Sequence, residues 1–338
     1  MIQNQLLPQL MNEFSRWKKT DSGVCTALQS SSGSNRQYFR VVLENNSFIG
    51  CYSPDLRENE SFFYLSDFYS NQGVRVPQVA HISADRTLYF QQDLGSVNLF
   101  ELVSKQGFSE QVVALYEQSL DQLHHMQTQT KGLDFTKCYP RESFDHQSIL
   151  WDLNYFKYYF LKVSGIDFDE QKLEDEFQHL AIILVGAKKE TFMFRDFQAR
   201  NIQVLNHQAW LIDFQGGRRG PVLYDLASLL YQASAGISTP LRQQLADYYF
   251  RKIEISLGYN RSQFNQEFNQ MILIRILQTL GAYGFRGLIE GKPYFKASIK
   301  PALANLETHL EQRFENLKIP YFMHLLDGLV KIKDKFDQ

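Results

Sequence analysis

Phe194-Arg195-Asp196-Phe197-Gln198-Ala199-Arg200-Asn201-Ile202 and, nine residues on, Leu211-Ile212-Asp213-Phe214-Gln215-Gly216-Gly217 are the two stretches that decide how this chain is read. Asp196 and Asn201 stand five apart, and Asp213 follows twelve residues later, directly after an apolar, strand-like run. Any one of these residues alone says little, because an Asp at a strand end is usually a turn former. Their order, spacing and flanking strands together place three oxygen-bearing side chains on a short loop and an adjacent strand end. One carboxylate can orient a hydroxyl and take its proton, while an amide and a second carboxylate hold Mg²⁺ against phosphate oxygens. The chemistry implied is phosphoryl transfer, with Asp196 as base and Asn201 and Asp213 as metal ligands.

Working outward, Gly220-Pro221-Val222-Leu223-Tyr224-Asp225-Leu226-Ala227-Ser228-Leu229-Leu230 follows the second stretch. With residues 194–201 and 211–217, it resembles the aminoglycoside phosphotransferase superfamily, which has the protein-kinase-like fold. Within that superfamily it is most similar to the bacterial kinases that phosphorylate the anomeric hydroxyl of N-acetylmuramate and N-acetylglucosamine. Arg275 to Gly281 and Gly291-Lys292-Pro293-Tyr294-Phe295 resemble the C-terminal helices of that branch, and the likeness is strongest from 190 to 232. The resemblance implies ATP or GTP as co-substrate with Mg²⁺, and a sugar-like small molecule as acceptor. Arg200, four after Asp196, either approaches the γ-phosphate and offsets charge in the transition state or forms a loop salt bridge. Phe194 stands where the superfamily usually has His. Only eleven residues separate Asp213 from Asp225, too few for an activation loop, so Arg195 is expected to be structural. Asp225 is expected to be a scaffold beneath the catalytic loop. Arg218 and Arg219 either face substrate or form a solvated turn.

Upstream, Gly33, Ser34 and Asn35 followed by Arg36, Gln37, Tyr38, Phe39 and Arg40 resemble the phosphate-covering hairpin turn of the branch. Backbone N–H groups of such a turn cradle phosphate oxygens. The strand Phe48 to Tyr52 offers Cys51 where the superfamily often has Lys, and Arg36 or Arg40 is the candidate to supply the missing cation. Glu58 or Glu60 falls where the helix of this lobe presents its carboxylate. Gln91-Gln92-Asp93-Leu94-Gly95 resembles the inter-lobe hinge, so Gln91 and Asp93 join the nucleotide-binding candidates.

Local patterns supply the architecture. Leu6, Leu7, Leu10, Met11, Phe14 and Trp17 recur at helical spacing, with Pro8 placed in the first turn. Strands are expected at Val24–Leu28, Gln37–Leu43, Phe48–Tyr52, Val79–His81 and Thr87–Gln91, with a helix at Glu58–Tyr69. From Leu94 onward the periodicity is helical. The expected helices are Phe108–Gln127, Ile149–Val163, Leu173–Val185, Tyr224–Ala235, Leu241–Leu257, Asn265–Gly281 and Pro301–Leu317. Strand-like runs at Ile202–Leu205 and Trp210–Ile212 interrupt them. The fold class is α+β and two-lobed: residues 1–92 form a β-rich nucleotide-covering lobe, and residues 93–338 a helical lobe with catalytic loop, metal site and substrate site.

Composition fits this reading. The 338 residues are 44% hydrophobic and 14% aromatic, enough for a large core. Lys+Arg 35 against Asp+Glu 37 leaves a net charge of −2 and no global field for nucleic acid or an anionic membrane. Cys25, Cys51 and Cys138 form no C-x-x-C pair and leave one over from any disulfide, which suits a reducing compartment such as the cytoplasm. Residues 1–20 lack the pattern of a secretion signal, and no run approaches the ~20 apolar residues of a membrane span. His124-His125 lack further ligands at metal spacing and are read as helix residues. Oligomeric state is left open. Two rivals stand beside the small-molecule kinase. One is a nucleotide-binding pseudokinase acting as a regulatory module, favoured by the absent lysine and by Phe194. The other is a kinase of proteins or cationic antibiotics, for which neither an activation loop nor an acidic excess is present.

Overall fold

Side-chain alternation along two neighbouring strands decides which face of the first sheet carries a helix and which is left for a site. The computed structural model describes residues 2–28, 36–186, 190–312, 314 and 317–336. The chain divides into two compact units, Met1–Glu142 with Arg200–Gly217 and Ser143–Ala199 with Arg218–Gln338.

The first unit opens with helix α1 (Ile2–Lys18) and continues through strands β1 (Val24–Leu28), β2 (Gln37–Leu43) and β3 (Asn46–Tyr52), helix α2 (Leu56–Asn71), and strands β4 (Val79–Ile82) and β5 (Leu88–Gln92). The strands form one antiparallel sheet in the order β1-β2-β3-β5-β4. Phe39, Val41, Leu88 and Phe90 point to one face and bury Leu6, Leu10 and Phe14 of α1. Gly50 sits beneath that helix. A Cβ there would come within 2.8 Å of Leu10 Cδ1, so any larger residue would have to push the Leu10 side chain aside. On the other face the register sets Tyr38, Cys51 and Tyr89 in one row and Arg40, Ile49 and Gln91 in the next. Helix α2 begins at Asp55, whose side chain accepts the Glu58 N–H at 3.1 Å, and lays Phe62 and Phe63 against Tyr89 with ring centroids 5.4 and 5.1 Å apart. Pro8 is the seventh residue of α1, not in its first turn as expected; the helix begins earlier than its apolar stripe. Helices α3 (Leu99–Gln106) and α4 (Glu110–Thr128) follow, each with a side-chain N-cap, at Asn98 and Ser109. Helix α3 was not foreseen.

In the second unit, α5 (His146–Phe156) continues through a π-helical stretch, Lys157–Leu161, and is followed by α6 (Glu170–Val185) and β6 (Glu190–Met193). The chain then contributes a hairpin to the first unit, β7 (Ile202–Leu205) and β8 (Gln208–Leu211). Its turn residues Asn206 and His207 both have positive φ, 51° and 60°, as a two-residue turn matching strand twist demands. Returning to the second unit, β9 (Arg218–Pro221) pairs antiparallel with β6. Helices α7 (Tyr224–Leu230), α8 (Thr239–Leu257), α9 (Arg261–Tyr283), α10 (Pro293–Ala297), α11 (Ile299–Leu310) and α12 (Pro320–Lys331) complete it.

Helix α9 is the core of this unit. By length and apolarity Arg261–Ile289 passes as a membrane span, but its apolar window is 61% buried within the protein, as befits a core helix. Two expected helices end early. Tyr224–Ala235 stops at Leu230, with a separate 3-10 turn at Ala233–Ala235, because extended Gln232 turns its side-chain oxygen to the Ala199 N–H at 2.9 Å. The helix expected to reach Leu317 ends at Leu310, and α12 starts afresh at Pro320, whose ring disfavours helical geometry in the residue before it.

Candidate active site

In the first unit a cavity of about 520 Å³ opens beside the second face of the sheet. Arg36, Tyr38, Tyr89 and Gln91 from the sheet, Gly95 and Asn98 beyond β5, and Arg200, Asn201, Gln203, Asp213 and Gln215 around the β7–β8 hairpin line it. The oxygen donors Asn201 and Asp213 therefore lie on the wall of one cavity with the buried cation Arg36 and the segment after β5. The Ile212 N–H donates to Asn201 O at 3.0 Å, which ties the two donor segments together. Asp213 has φ +68°, a conformation that non-glycine residues rarely adopt and that marks functional turns. Gln215 Nε2 donates to Asp213 Oδ1 at 2.8 Å and lies 3.4 Å from Glu58 Oε1.

The structure separates the sequence candidates for the missing cation. Arg36, 3% exposed, places Nη2 3.4 Å from Glu58 Oε2. Burial works against its charge, but the neighbouring Tyr89, Tyr38, Cys51 and Glu58 hold its pKa above the ordinary value. Arg40 instead forms a two-pronged pair with Asp93, Nε to Oδ2 at 2.6 Å and Nη2 to Oδ1 at 3.0 Å. Ser47 Oγ and the Gly95 N–H also donate to that carboxylate, at 2.5 and 2.9 Å. Glu60 is paired with Arg86. Arg40 and Asp93 thus satisfy each other, and among the expected nucleotide-binding side chains Arg36 and Gln91 line the cavity. Gly33, Ser34 and Asn35 lie outside the described residues. Cys51 is fully buried in the row between Tyr38 and Tyr89, and burial pushes its thiol up to about 11.

Residues 194–199, the first half of the opening sequence stretch, lie in the second unit. Asp225, fully buried in the first turn of α7, accepts the Phe194 N–H at 2.7 Å and the Arg195 N–H at 2.9 Å. It serves the loop rather than the start of its own helix. Burial raises its pKa to about 7 against the pull of those two donors. Arg195, with φ +83°, forms a forked pair with Asp152 at 2.8 and 2.6 Å and donates to Tyr224 OH at 2.8 Å, a structural role. Phe194 is fully buried with its ring 5.3 Å from that of Phe197. Asp196 is the open member of the loop, its side chain 47% exposed, with Arg275 Nη2 3.4 Å from Oδ1. Arg275 is itself buried and reaches Gln278 Oε1 at 2.5 Å. Arg218 is buried while Arg219 is exposed; burial and the nearby Arg195 lower the Arg218 pKa to about 10. The exposed Tyr294 has its OH 3.1 Å from Ser234 Oγ.

The donor set fits a Mg²⁺ nucleotide. The side-chain carbonyl oxygens of Gln91, Gln203 and Gln215, all cavity residues, are buried without a protein partner among the described residues. Such acceptors are costly unless something else donates to them. No three His, Cys, Asp or Glu residues cluster as a metal site among the described residues. One carboxylate and one amide suffice for Mg²⁺, which keeps waters and takes its other ligands from phosphate. The sequence offered Gln215 and Tyr224 only as parts of a resemblance and gave no sign of Asp152, because its partner Arg195 comes from another element.

Comparison with known proteins gives the family and the fold. A family model described as "Phosphotransferase enzyme family" (APH) matches residues 27–262. An N-acetylmuramate/N-acetylglucosamine kinase of Neisseria meningitidis serogroup B is 23% identical over 291 residues, 83% of this chain and 84% of that protein. One of the same name from Pseudomonas putida is 24% identical over 323 residues, 91% of each. Among solved structures, an ADP-bound aminoglycoside phosphotransferase superposes with TM-score 0.61 at 14% identity, covering 97% of this chain and 98% of that one. A choline kinase from Cryptosporidium parvum also gives 0.61, at 12% identity and 96% and 99% coverage. At these identities the structures establish the fold, which is α+β, protein-kinase-like and two-lobed.

Proposed function

This chain belongs to the phosphotransferase enzyme family APH, and from that premise we propose that it transfers the γ-phosphoryl group of ATP or GTP to the anomeric hydroxyl of an N-acetylated amino sugar. The observation that carries the donor half is the lining of a single cavity by Asn201, Asp213, Arg200 and Arg36. The acceptor half rests on the relatives named N-acetylmuramate/N-acetylglucosamine kinase.

Asn201 and Asp213 are the residues that would hold Mg²⁺, which would neutralise phosphate charge. Asp196 accepts the proton of the acceptor hydroxyl as that oxygen bonds to the γ-phosphorus and the bond to the nucleoside diphosphate breaks. Arg275, at 3.4 Å, keeps the Asp196 carboxylate oriented. Arg200 faces the phosphoryl oxygens and offsets their charge. An anomeric hydroxyl is more acidic than other sugar hydroxyls, so a carboxylate base has less to do. Residues 1–92 act as the nucleotide-covering lobe and 93–338 carry the catalytic and substrate groups. No disulfide joins Cys25, Cys51 and Cys138, which suits the cytoplasm, where nucleotide is available. The pseudokinase reading leaned on the absent lysine and on Phe194; the pairing of Arg36 with Glu58 beside the metal candidates supports the active reading on the first point.

Enzyme, Mg²⁺, ATP or GTP and a panel of sugars, choline and aminoglycosides decide the matter, with the new phosphate located by phosphorus–proton coupling. Phosphate at the anomeric carbon of N-acetylglucosamine or N-acetylmuramate is expected. Turnover only on a primary hydroxyl, or only with amines, overturns the acceptor assignment.

A further inference from the structure

We propose that Arg36, braced by Glu58, is the cation that grips the inner phosphates of the donor nucleotide, and that Gln215 ties this pair to Asp213 so that phosphate grip and metal carboxylate are positioned together. The proposal rests on the donor-nucleotide reading above and adds to it a choice between the two candidate cations and a positioning residue.

The strand position that would ordinarily carry the cation holds a thiol. Cys51 is buried between Tyr38 and Tyr89, and a neutral thiol there has nothing to offer an anion. Arg36 immediately precedes β2, the neighbouring strand, and its side chain lines the same cavity as Asp213. A guanidinium is always charged and presents a planar fork matched to two phosphate oxygens, so a buried one serves where a lysine would risk losing its proton.

Helix α2 and the metal segment are joined at two points one turn apart. Glu58 Oε1 lies 3.4 Å from Gln215 Nε2, and Ser61 Oγ donates to Gln215 O at 3.0 Å. Phe62 of the same helix sets its ring 5.4 Å from that of Phe214. The same Gln215 Nε2 holds Asp213 Oδ1 at 2.8 Å. Glu58 thus faces Arg36 with one oxygen and Gln215 with the other. Displacing α2 would loosen the phosphate cation and the metal carboxylate in one movement. Arg40 and Glu60, the other residues the sequence allowed, are engaged with Asp93 and Arg86.

The test is calorimetric titration of a non-hydrolysable ATP analogue, with and without Mg²⁺, into wild type, Arg36→Met, Arg36→Met combined with Cys51→Lys, and Gln215→Leu, with thermal melts confirming each fold. Losing a charge-assisted fork weakens Mg²⁺-nucleotide binding in Arg36→Met by about 10–100-fold. Returning a cation from β3 in the double variant recovers part of that loss, a result that a merely structural Arg36 would not give. Gln215→Leu raises the Mg²⁺ concentration needed for half-maximal binding and leaves metal-free binding nearly unchanged. Wild-type binding with unaltered affinity in Arg36→Met overturns the proposal, as does a loss that Cys51→Lys fails to recover. If an Arg36 variant does not fold, Gln215→Leu decides alone, and an unaltered Mg²⁺ requirement overturns the coupling. Absence of binding by wild type takes down the nucleotide reading itself, a distinguishable result.

Discussion

Asp196 and Asp213 carry the same functional group in different surroundings, and the proposed reaction gives them different work. Asp213 is held by Gln215 in a cavity with Asn201 and Arg36, the setting of a metal ligand. Asp196 is half exposed on a loop that Asp225 fixes through two backbone N–H groups, the setting of a base that must meet an acceptor. Binding and turnover therefore separate by residue. Asp213→Ala weakens Mg²⁺-nucleotide binding. Asp196→Asn leaves binding nearly intact while kcat falls roughly 10²–10⁴-fold. Calorimetry beside steady-state kinetics checks both, and a binding defect in Asp196→Asn equal to that of Asp213→Ala would sink the division of roles. These carboxylates were legible in sequence because the loop sets their spacing locally. The choice between Arg36 and Arg40 was not, because it is made by Glu58 and Asp93, which lie 22 and 53 residues away from their partners on other elements.

Among the elements, one carboxylate does the joining at the exit of the sheet. Asp93, just past β5, receives Arg40 from β2 and Ser47 from β3, so three strands are pinned where the chain leaves them. Burial pushes its pKa up, but the donors from Arg40, Ser47 and Gly95 win, and the folded value lies below the ordinary one. A lowered folded pKa means stability that is present above the unfolded value and lost as pH falls through the folded one. Asp93→Asn should therefore melt below wild type at pH 7, and the gap should close as pH drops below about 4, the ordinary carboxylate range. Melts from pH 3 to 7 test this, and a gap of constant size refutes it. The main strands and long helices were legible because their periodicity is local. Strand β9 was not, because Arg218-Arg219-Gly220-Pro221 has no apolar alternation and becomes a strand only by pairing with β6.

For the whole molecule, the order of the chain and its division into compact units do not coincide. The first unit takes the wall of its cavity from residues 1–142 and from residues 200–217, which the chain delivers after a long excursion. That late segment fills bonds the earlier one leaves open. The Val204 N–H donates to Val97 O and the Leu211 N–H to Arg75 O, both at 2.8 Å. The Ala209 N–H donates to Gln118 Oε1 at 3.2 Å, and Ser61 Oγ to Gln215 O at 3.0 Å. A fragment of residues 1–142 would leave Val97 O, Arg75 O, Gln118 Oε1 and Ser61 Oγ without these partners, and would uncover the apolar surface against which Ile202, Leu211 and Phe214 are fully buried in the intact chain. Unpaired buried polar groups cost about 1–3 kcal/mol each, a large share of a domain's net stability of about 5–15 kcal/mol. The fragment also lacks Asn201 and Asp213. It should therefore melt broadly or not at all, and should not take up Mg²⁺-nucleotide. Supplying residues 190–220 in trans should restore order only to the extent that the hairpin re-docks. Calorimetric melts and nucleotide titration of the two preparations check this. A sharp, cooperative transition for residues 1–142 alone would mean that the hairpin is a passenger on that unit and not part of its frame.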